Sequence, residues 1–243
     1  MLLFKGISKG GDKVDNSLVS PNIGLLFKQY GTTIKMEKDR SVYVEGELAE
    51  EIYLVISGSI AINKDTEGGK LLTLRIVGRD NCIGESGIFA DNAHHSFSAH
   101  TLETTQLLML PKNKFESFLV NSTELMVEWT KYIQLVYLKN QTRFRDLMLH
   151  GKKGALFSTL IRLANTYGEK LPDDSIKINF QLTNQEIANL CAMSREVVNR
   201  MLNDLKNEGI VSFQKGIITI HDLELLKREN QCESCPLCVC RID

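Results

Sequence analysis

The pattern of apolar and polar residues divides the chain into three main regions, each of which predicts a different structure. Over residues 28–121, short apolar runs alternate with turn residues, as at residues 53–56, 57–59 and 60–62. Short runs separated by turn signals about every 8–12 positions are typical of an antiparallel β-sandwich or barrel. We therefore predict an antiparallel β domain over residues 28–121, preceded by an irregular N-terminal segment at residues 1–27.

In residues 122–150 the apolar positions recur at steps of three and four, which is the period of a helix. The repeating positions are Met126, Trp129, Ile133, Val136, Asn140 and Leu147. No Pro or Gly interrupts them, and Ser122 or Thr123 can cap the first turn. The stripe suits two arrangements: packing of the helix on its own domain, or pairing with the same helix of a second subunit, where Asn140 would set the register.

Residues 151–228 predict an α-rich unit that ends in a β-hairpin. Thr183 and Glu186 have the spacing of a capping box, which begins a short helix, and Ser194 can cap a second helix that runs to about residue 207. Apolar runs on either side of Gly216 then form the hairpin. Two short helices joined by a tight turn and followed by a hairpin are typical of a winged helix-turn-helix.

The polar face of the second helix carries side chains that can recognise DNA bases: Arg195, Glu196, Asn199 and Arg200. In the major groove, an arginine donates two hydrogen bonds to guanine, and a glutamate accepts one from cytosine. The same residues also suit an ordinary solvated helix face with one Glu–Arg pair. These four residues therefore leave both interpretations open.

Segments of the β domain and of the helix-turn-helix, in this order along the chain, resemble the CRP/FNR superfamily of transcription regulators. The helix-turn-helix resemblance rests on LTNQEIA at residues 182–188 and SREVVNR at residues 194–200. The β-domain resemblance rests on residues 43–47, 53–60 and 83–89. The resemblance implies an α+β fold: an N-terminal antiparallel β-roll of the cupin-like, double-stranded kind, then a long dimerisation helix, then a C-terminal winged helix-turn-helix.

On this resemblance we expect the β-roll at residues 28–121, the dimerisation helix at 122–150, the DNA-binding domain at 151–228 and a cysteine-rich tail at 229–243. The implied partners are double-stranded DNA, a second copy of the chain and RNA polymerase. The implied DNA site is a palindrome with TGTGA-like half-sites. Arg195 and Arg200 would then contact guanines and Glu196 a cytosine.

One stretch departs from the nucleotide-binding members of the superfamily. Those members hold the phosphate with an Arg-Ser/Thr-Ala motif, whereas residues 94–99 read HHSFSA, and no arginine lies between Arg79 and Arg143. A nucleotide phosphate would lack its bidentate partner, so we expect no cyclic nucleotide. We interpret His94 and His95 as a polar hairpin tip rather than as metal ligands.

The apolar fraction excludes a disordered chain. The near-zero net charge means that DNA binding would depend on individual, well-placed residues. The 243 residues are 43% hydrophobic, and 29 Lys and Arg against 30 Asp and Glu give a net charge of -1. The N-terminus shows no secretory signal, and no apolar run is long enough to span a membrane. We therefore expect a cytoplasmic protein with no membrane partner, in which thiols stay reduced.

The cysteines are concentrated at one end of the chain. Four of the six lie within the last twelve residues: Cys232, Cys235, Cys238 and Cys240. In a reducing compartment such a cluster indicates a metal site or a redox device rather than a disulfide framework. Thiolates at C-x2-C spacing suit either iron–sulfur or zinc ligation. We interpret Cys82 and Cys191 as packing residues.

The tail also resembles the Gram-positive oxygen-sensing branch of the superfamily, whose cluster cysteines have the form C-x2-C-x4-C. Cys232, Cys235 and Cys240 match this spacing. In that branch a carboxylate in an Arg-Phe-Arg-Asp segment completes a [4Fe–4S] cluster, and the matching residue here is Asp146. The resemblance implies one such cluster per subunit, with Cys238 as the rival fourth ligand.

Three functions follow as hypotheses. The first is an oxygen-responsive regulator of anaerobic metabolism. The second is a regulator of the same class whose tail binds zinc or works as a thiol switch. The third, which has the least support, is an electron carrier or redox enzyme, because the sequence has no GxGxxG, P-loop, HExxH or GxSxG motif. We expect that the protein is not an enzyme.

Overall fold

The computed structural model describes residues 19–65, 68, 71–214, 216–233 and 235–243. The irregular structure predicted for residues 1–18 therefore lies outside the described residues. The short helix expected at residues 23–27 is longer, since α1 spans Pro21–Tyr30 with Ser20 as its cap. This helix packs Ile23 and Phe27 into the β domain that follows.

In the described residues, the β domain has eight strands arranged in two antiparallel four-stranded sheets. The strands are β1 Thr32–Met36, β2 Ser41–Tyr43, β3 Glu51–Ser57, β4 Ile60–Asp65, β5 Leu71–Val77, β6 Cys82–Ile83, β7 Ser98–Thr101 and β8 Thr105–Pro111. The strand orders are β1-β8-β3-β6 and β2-β7-β4-β5. The chain crosses between the sheets at Gly58, whose φ of 87° suits glycine and where a Cβ would collide with Thr105.

Strand β3 is buried on both faces, which explains its continuous apolar run. Tyr53 and Val55 pack between the two sheets, whereas Ile52 and Leu54 pack against the helices outside. Those helices are α1, α2 at Lys112–Val120 and α3 at Thr123–Leu149. The β-roll predicted from the motifs is therefore confirmed, with helices covering one of its sheets.

The long helix α3 presents a different face to solvent from the one expected for dimerisation. The predicted stripe packs on the helix's own domain, with Trp129 and Val136 buried and Met126 and Ile133 half-buried in the same cluster. A neighbouring stripe is exposed to between 45% and 67%: Val127, Tyr137, Phe144 and Met148. Of the two arrangements considered, packing on the chain's own domain therefore describes the predicted stripe, and Asn140 lies outside the exposed apolar one.

The C-terminal domain is a winged helix-turn-helix. Its elements are α4 Gly151–Tyr167, β9 Gly168–Lys170, β10 Ile176–Ile178, α5 Asn184–Leu190, α6 Arg195–Asn207, β11 Val211–Gln214, β12 Ile217–Ile220 and α7 Leu223–Glu229. The sheet order is β11-β12-β10-β9. His150 separates α3 from α4, and Gly151, at a φ of 57°, is the first residue of α4. Gly154 lies inside α4 and does not interrupt it.

Candidate metal centre and DNA-reading face

The helix-turn-helix is formed by the local signals that predicted it. The hydroxyl of Thr183 accepts from the main-chain N–H of Glu186, and the Glu186 carboxylate accepts from that of Thr183, so the capping box is complete. The hydroxyl of Ser194 caps α6. Helix α6 buries Val198 and Leu202 in the domain core, which leaves its opposite face to solvent.

The four predicted DNA-reading residues all lie on the exposed face of α6: Arg195, Glu196, Asn199 and Arg200. Asn199 accepts a hydrogen bond of 2.9 Å from Asn184, the first residue of α5. The main-chain N–H of Glu196 and the Ser194 hydroxyl hold the pKa of the Glu196 carboxylate below its usual range. The side chains of Glu196 and Arg200 are both exposed to solvent.

The tail cysteines and α3 meet at one cavity of about 630 Å³. Three of the four tail cysteines line it, namely Cys232, Cys235 and Cys240, together with Asp146. Cys238 is half-buried but does not line the cavity. Folding therefore brings together the three cysteines of C-x2-C-x4-C spacing and a carboxylate that lies 86 or more residues earlier in the chain.

Asp146 is a buried carboxylate with partners on both oxygens. Oδ2 accepts from the hydroxyl of Ser158 at 2.6 Å and from the guanidinium of Arg162 at 2.9 Å. Oδ1 accepts from Arg145 at 2.9 Å. Burial alone would raise the pKa of Asp146, but the hydrogen bonds from Ser158, Arg162 and Arg145 outweigh it and hold the pKa below 3.8. The carboxylate is therefore ionised at neutral pH.

Arg162 connects α3, which carries Asp146, to the tail. Arg162 was not identified from the sequence as a residue of the site. Its guanidinium is only 1% exposed and also donates to the hydroxyl of Thr142 at 3.2 Å and to the main-chain oxygen of Val239 at 3.2 Å. A buried charge persists only where partners satisfy it. The one available signal was a lone arginine within the apolar run of α4.

Two tail sulfurs accept hydrogen bonds from side chains beside the cavity. Arg145 donates to Sγ of Cys235 at 3.8 Å, and the amide of Asn230 donates to Sγ of Cys232 at 3.7 Å. Burial raises the pKa of Cys240, and the proximity of Cys235, Cys232 and Asp146 raises it further. Across the ranges that the structure describes, no three His, Cys, Asp or Glu side chains are arranged to hold a single metal ion.

A second cavity, of about 850 Å³, lies between the β domain, α3 and the helix-turn-helix. Two arginines reach it, and both already have partners. Arg75 pairs with Glu85. Arg143 donates to the main-chain oxygens of Leu74, of Thr73 at 3.2 Å and of Leu190 at 2.8 Å. Burial lowers the pKa of Arg143 to about 10, so it remains cationic and ties α5 to β5.

The histidine pair is not a polar hairpin tip. His95 is buried and stacks on Tyr43, with 3.7 Å between the ring centroids, and burial lowers its pKa. His94 is exposed beside it. The interpretation of Cys82 and Cys191 as packing residues is confirmed, because both are buried in hydrophobic clusters.

An antiparallel β-roll, a long helix and a winged helix-turn-helix with an exposed polar reading face define a DNA-binding transcription regulator. The Crp-like helix-turn-helix domain matches residues 155–229, and the Cyclic nucleotide-binding domain matches residues 33–122. The chain belongs to the CRP/FNR family, whose members are transcription regulators rather than enzymes.

Relatives cover nearly the whole chain. It is 44% identical over 230 residues to the "Anaerobic regulatory protein" of Bacillus subtilis, which covers 94% of this chain and 96% of that one. It is 25% identical over 195 residues to a "CRP-like cAMP-activated global transcriptional regulator" of Mycobacterium tuberculosis, covering 80% and 86%. A CooA mutant from Carboxydothermus hydrogenoformans shares the fold, with a TM-score of 0.70, 20% identity and coverage of 91% and 97%.

The residues around the tail cavity suit an iron–sulfur cluster. Three thiols and an ionised carboxylate form a donor set of the kind that iron accepts. Arg145, Lys227 and Arg228 also line the cavity, together with Glu233 and Glu224, which pair with Arg145 and Lys227. The cavity is larger than one ion requires.

No helix of the described residues combines the length and apolar character needed to cross a membrane.

Proposed function

We propose that this chain is an oxygen-responsive, dimeric regulator of anaerobic metabolism that holds one [4Fe–4S] cluster per subunit. The proposed ligands are Cys232, Cys235, Cys240 and Asp146. The observation that carries the proposal is the convergence of these four side chains, from the tail and from α3, on one cavity. The 44% identity to a protein named for anaerobic regulation supports it.

The cavity favours Asp146 over Cys238 as the fourth ligand. Asp146 lines it and is ionised, whereas Cys238 does not line it. Oδ2 of Asp146 is held by two buried partners, and Oδ1 only by Arg145, whose side chain is 28% exposed. Oδ1 is therefore the oxygen that Arg145 can release to a ligand. A carboxylate is a harder ligand than a thiolate, so it binds the iron of a cluster less firmly.

When bound, the cluster supplies a centre that O2 can oxidise. The chain's own residues then determine the response. With the ligands bound to the cluster, the tail would be joined to α3 through Asp146. Without the cluster, only the hydrogen bonds and ion pairs between protein groups would join them. Such a difference in contacts biases the orientation of α6 between two arrangements.

Anaerobic reconstitution with iron and sulfide tests the cluster. We expect broad visible absorbance, about four iron atoms per subunit, and DNA affinity that changes after exposure to air. A colourless protein that binds zinc instead would establish the zinc-tail alternative. A metal-free protein whose DNA binding responds to reductant would establish the thiol switch. Either result would overturn the cluster.

We also propose that α6 reads TGTGA-type half-sites, because four base-reading side chains share its exposed face. A duplex carrying TGTGA-N6-TCACA should compete better than scrambled DNA at the same salt. Replacing Arg200 by Ala should weaken specific binding by about 1–3 kcal/mol and leave non-specific binding nearly unchanged. Equal competition by the two duplexes would contradict this assignment.

The palindrome requires a dimer, and the exposed stripe on α3 suits one. Val127, Tyr137, Phe144 and Met148 follow helical spacing and form an apolar seam on a long helix. Light scattering should give a dimer for the native chain and a monomer for Tyr137→Glu with Phe144→Glu. The matched control is Val120→Glu, which changes an exposed apolar residue on α2. RNA polymerase as the protein partner and a cytoplasmic location complete the proposal.

A further inference from the structure

The tail has two parts with opposite environments. Its first part, around Cys232, is exposed or half-exposed. Its last part, residues 239–243, is mostly buried, as Val239, Arg241, Ile242 and Asp243 show. A tail that only supplied sulfur ligands would not need to bury the residues beyond its last cysteine.

The main chain of the buried part is fixed to α4 by hydrogen bonds with α4 side chains. The amide of Asn165 donates to the main-chain oxygen of Cys240 at 2.7 Å. The main-chain N–H of Ile242 donates to the hydroxyl of Thr166 at 3.0 Å. With the Arg162 contact to Val239, these bonds hold the chain on both sides of Cys240.

The same segment reaches two elements outside the DNA-binding domain. On α3, the ammonium of Lys139 donates to the main-chain oxygen of Asp243 at 2.6 Å and to its carboxylate at 3.1 Å. On β5, the N–H of Ile76 donates to the main-chain oxygen of Ile242 at 3.3 Å. The β domain, the long helix and the DNA-binding domain therefore meet at residues 239–243.

The ionic contact is buried, which makes it specific. Lys139 and Asp243 are both buried, and the Asp243 carboxylate also accepts from Nε and Nη2 of Arg241 at 2.9 Å each. Removing one partner of a buried pair leaves an uncompensated charge, so the segment has one strongly preferred position. Lys139 and Asp146 are seven residues apart on α3, which places them on the same side of that helix.

We propose that residues 239–243 form an anchor that fixes Cys240 without the cofactor and couples the tail cavity to α3 and β5. Asp243 and Lys139 are its positioning residues. Cys240 is then the ligand that is already in place, and Cys232 and Cys235 close onto it. The second part of this inference rests on the proposed cluster, but the first part does not.

Site-resolved alkylation of the metal-free full-length protein tests the anchor directly. Mass spectrometry should show Cys232 reacting much faster than Cys240, with buried Cys191 protected as the control for folding. Asp243→Asn and Lys139→Met should each speed the labelling of Cys240 by about tenfold or more and leave Cys232 unchanged, because each removes the buried ion pair that joins the tail to α3 and so promotes local opening. Lys139→Arg keeps the positive charge, so Cys240 should be labelled in it almost as slowly as in the native protein.

The matched control is Lys153→Met, which removes an exposed ion pair with Glu229 on the same domain. Equal labelling of Cys240 and Cys232 in the native chain would overturn the anchor, and this comparison needs no variant. Unchanged labelling of Cys240 in folded Asp243→Asn would overturn the role of the ion pair.

A second measurement separates the anchor from the cluster. After anaerobic reconstitution, and compared at equal iron content, Asp243→Asn should lose most of the difference in DNA affinity that the native protein shows between its anaerobic and air-exposed forms. An unchanged difference would overturn the coupling. If no variant and no native protein takes up iron, the proposed cluster fails, while the labelling result still decides the anchor.

Discussion

The six cysteines form two groups whose environments differ. Cys82 and Cys191 lie in hydrophobic clusters, where burial raises the pKa of Cys82 well above 9.0 and that of Cys191 to about 11. The tail cysteines lie on a segment in which Cys232 is exposed and the other three are half-buried. Since the thiolate is the form that binds metal, burial in an apolar core makes a cysteine a poor ligand. Burial also raises the pKa of Cys240, so the difference between the groups is one of position: the three proposed ligands line a cavity, whereas Cys82 and Cys191 lie inside hydrophobic clusters.

The largest expected effect comes from removing a proposed ligand. Cys232→Ser, Cys235→Ser and Cys240→Ser should each lose nearly all iron and the oxygen response of DNA binding, because a serine hydroxyl is a poor ligand for cluster iron. Iron and sulfide assays after anaerobic reconstitution measure this. Cys191→Ala is the control, and equal iron loss in it would erase the distinction between the two groups.

Asp146→Ala should lower both iron retention and stability. The free energy of unfolding should fall by about 3 kcal/mol, because Arg162 is left buried without its carboxylate. The double variant Asp146→Ala with Arg162→Leu should recover much of this loss. The lowered pKa of Asp146 means that its stabilising effect is present above pH 3.8 and is lost as the pH falls through the lowered value.

Denaturant unfolding of Asp146→Ala at neutral and acid pH therefore checks the electrostatic part, and the gap to the native chain should narrow in acid. A gap that stays constant with pH would show that the carboxylate does not act through its charge. Full iron retention in Asp146→Ala would remove it from the ligand set.

Cys82→Ala should be a pure packing change. It removes a buried sulfur and keeps the main-chain bonds to the Tyr132 hydroxyl, which are 2.9 Å and 3.0 Å long. We expect the free energy of unfolding to fall by about 1 kcal/mol, with iron content unchanged. Loss of iron at native stability would place Cys82 in the wrong group.

Cys238→Ser is expected to have the smallest effect. Cys238 lies in the tail but does not line the cavity, so iron content and the air response should match the native protein. The measurement is the same reconstitution assay. If Cys238→Ser loses the cluster and Asp146→Ala keeps it, the fourth ligand is Cys238.

The sequence determined what depends on local pattern. The capping box at Thr183 and the polar face of α6 follow from caps and periodicity that act over a few residues. Strands β9 and β10 and helix α7 were not predicted, because they are short and their sequence patterns are weak. The ligand-type spacing of Cys232, Cys235 and Cys240 could also be recognised in the sequence, because such spacing is a local property.

Only the tertiary structure decided which distant residues meet. Two stripes on α3 have helical spacing, and contact with the β domain determines which of them faces out. Arg162 beside Asp146, and Lys139 beside Asp243, are ion pairs whose members lie on separate elements. Periodicity specifies the face of one element, whereas the pairing of buried charges depends on how elements pack, because burial is what makes an unpaired charge costly.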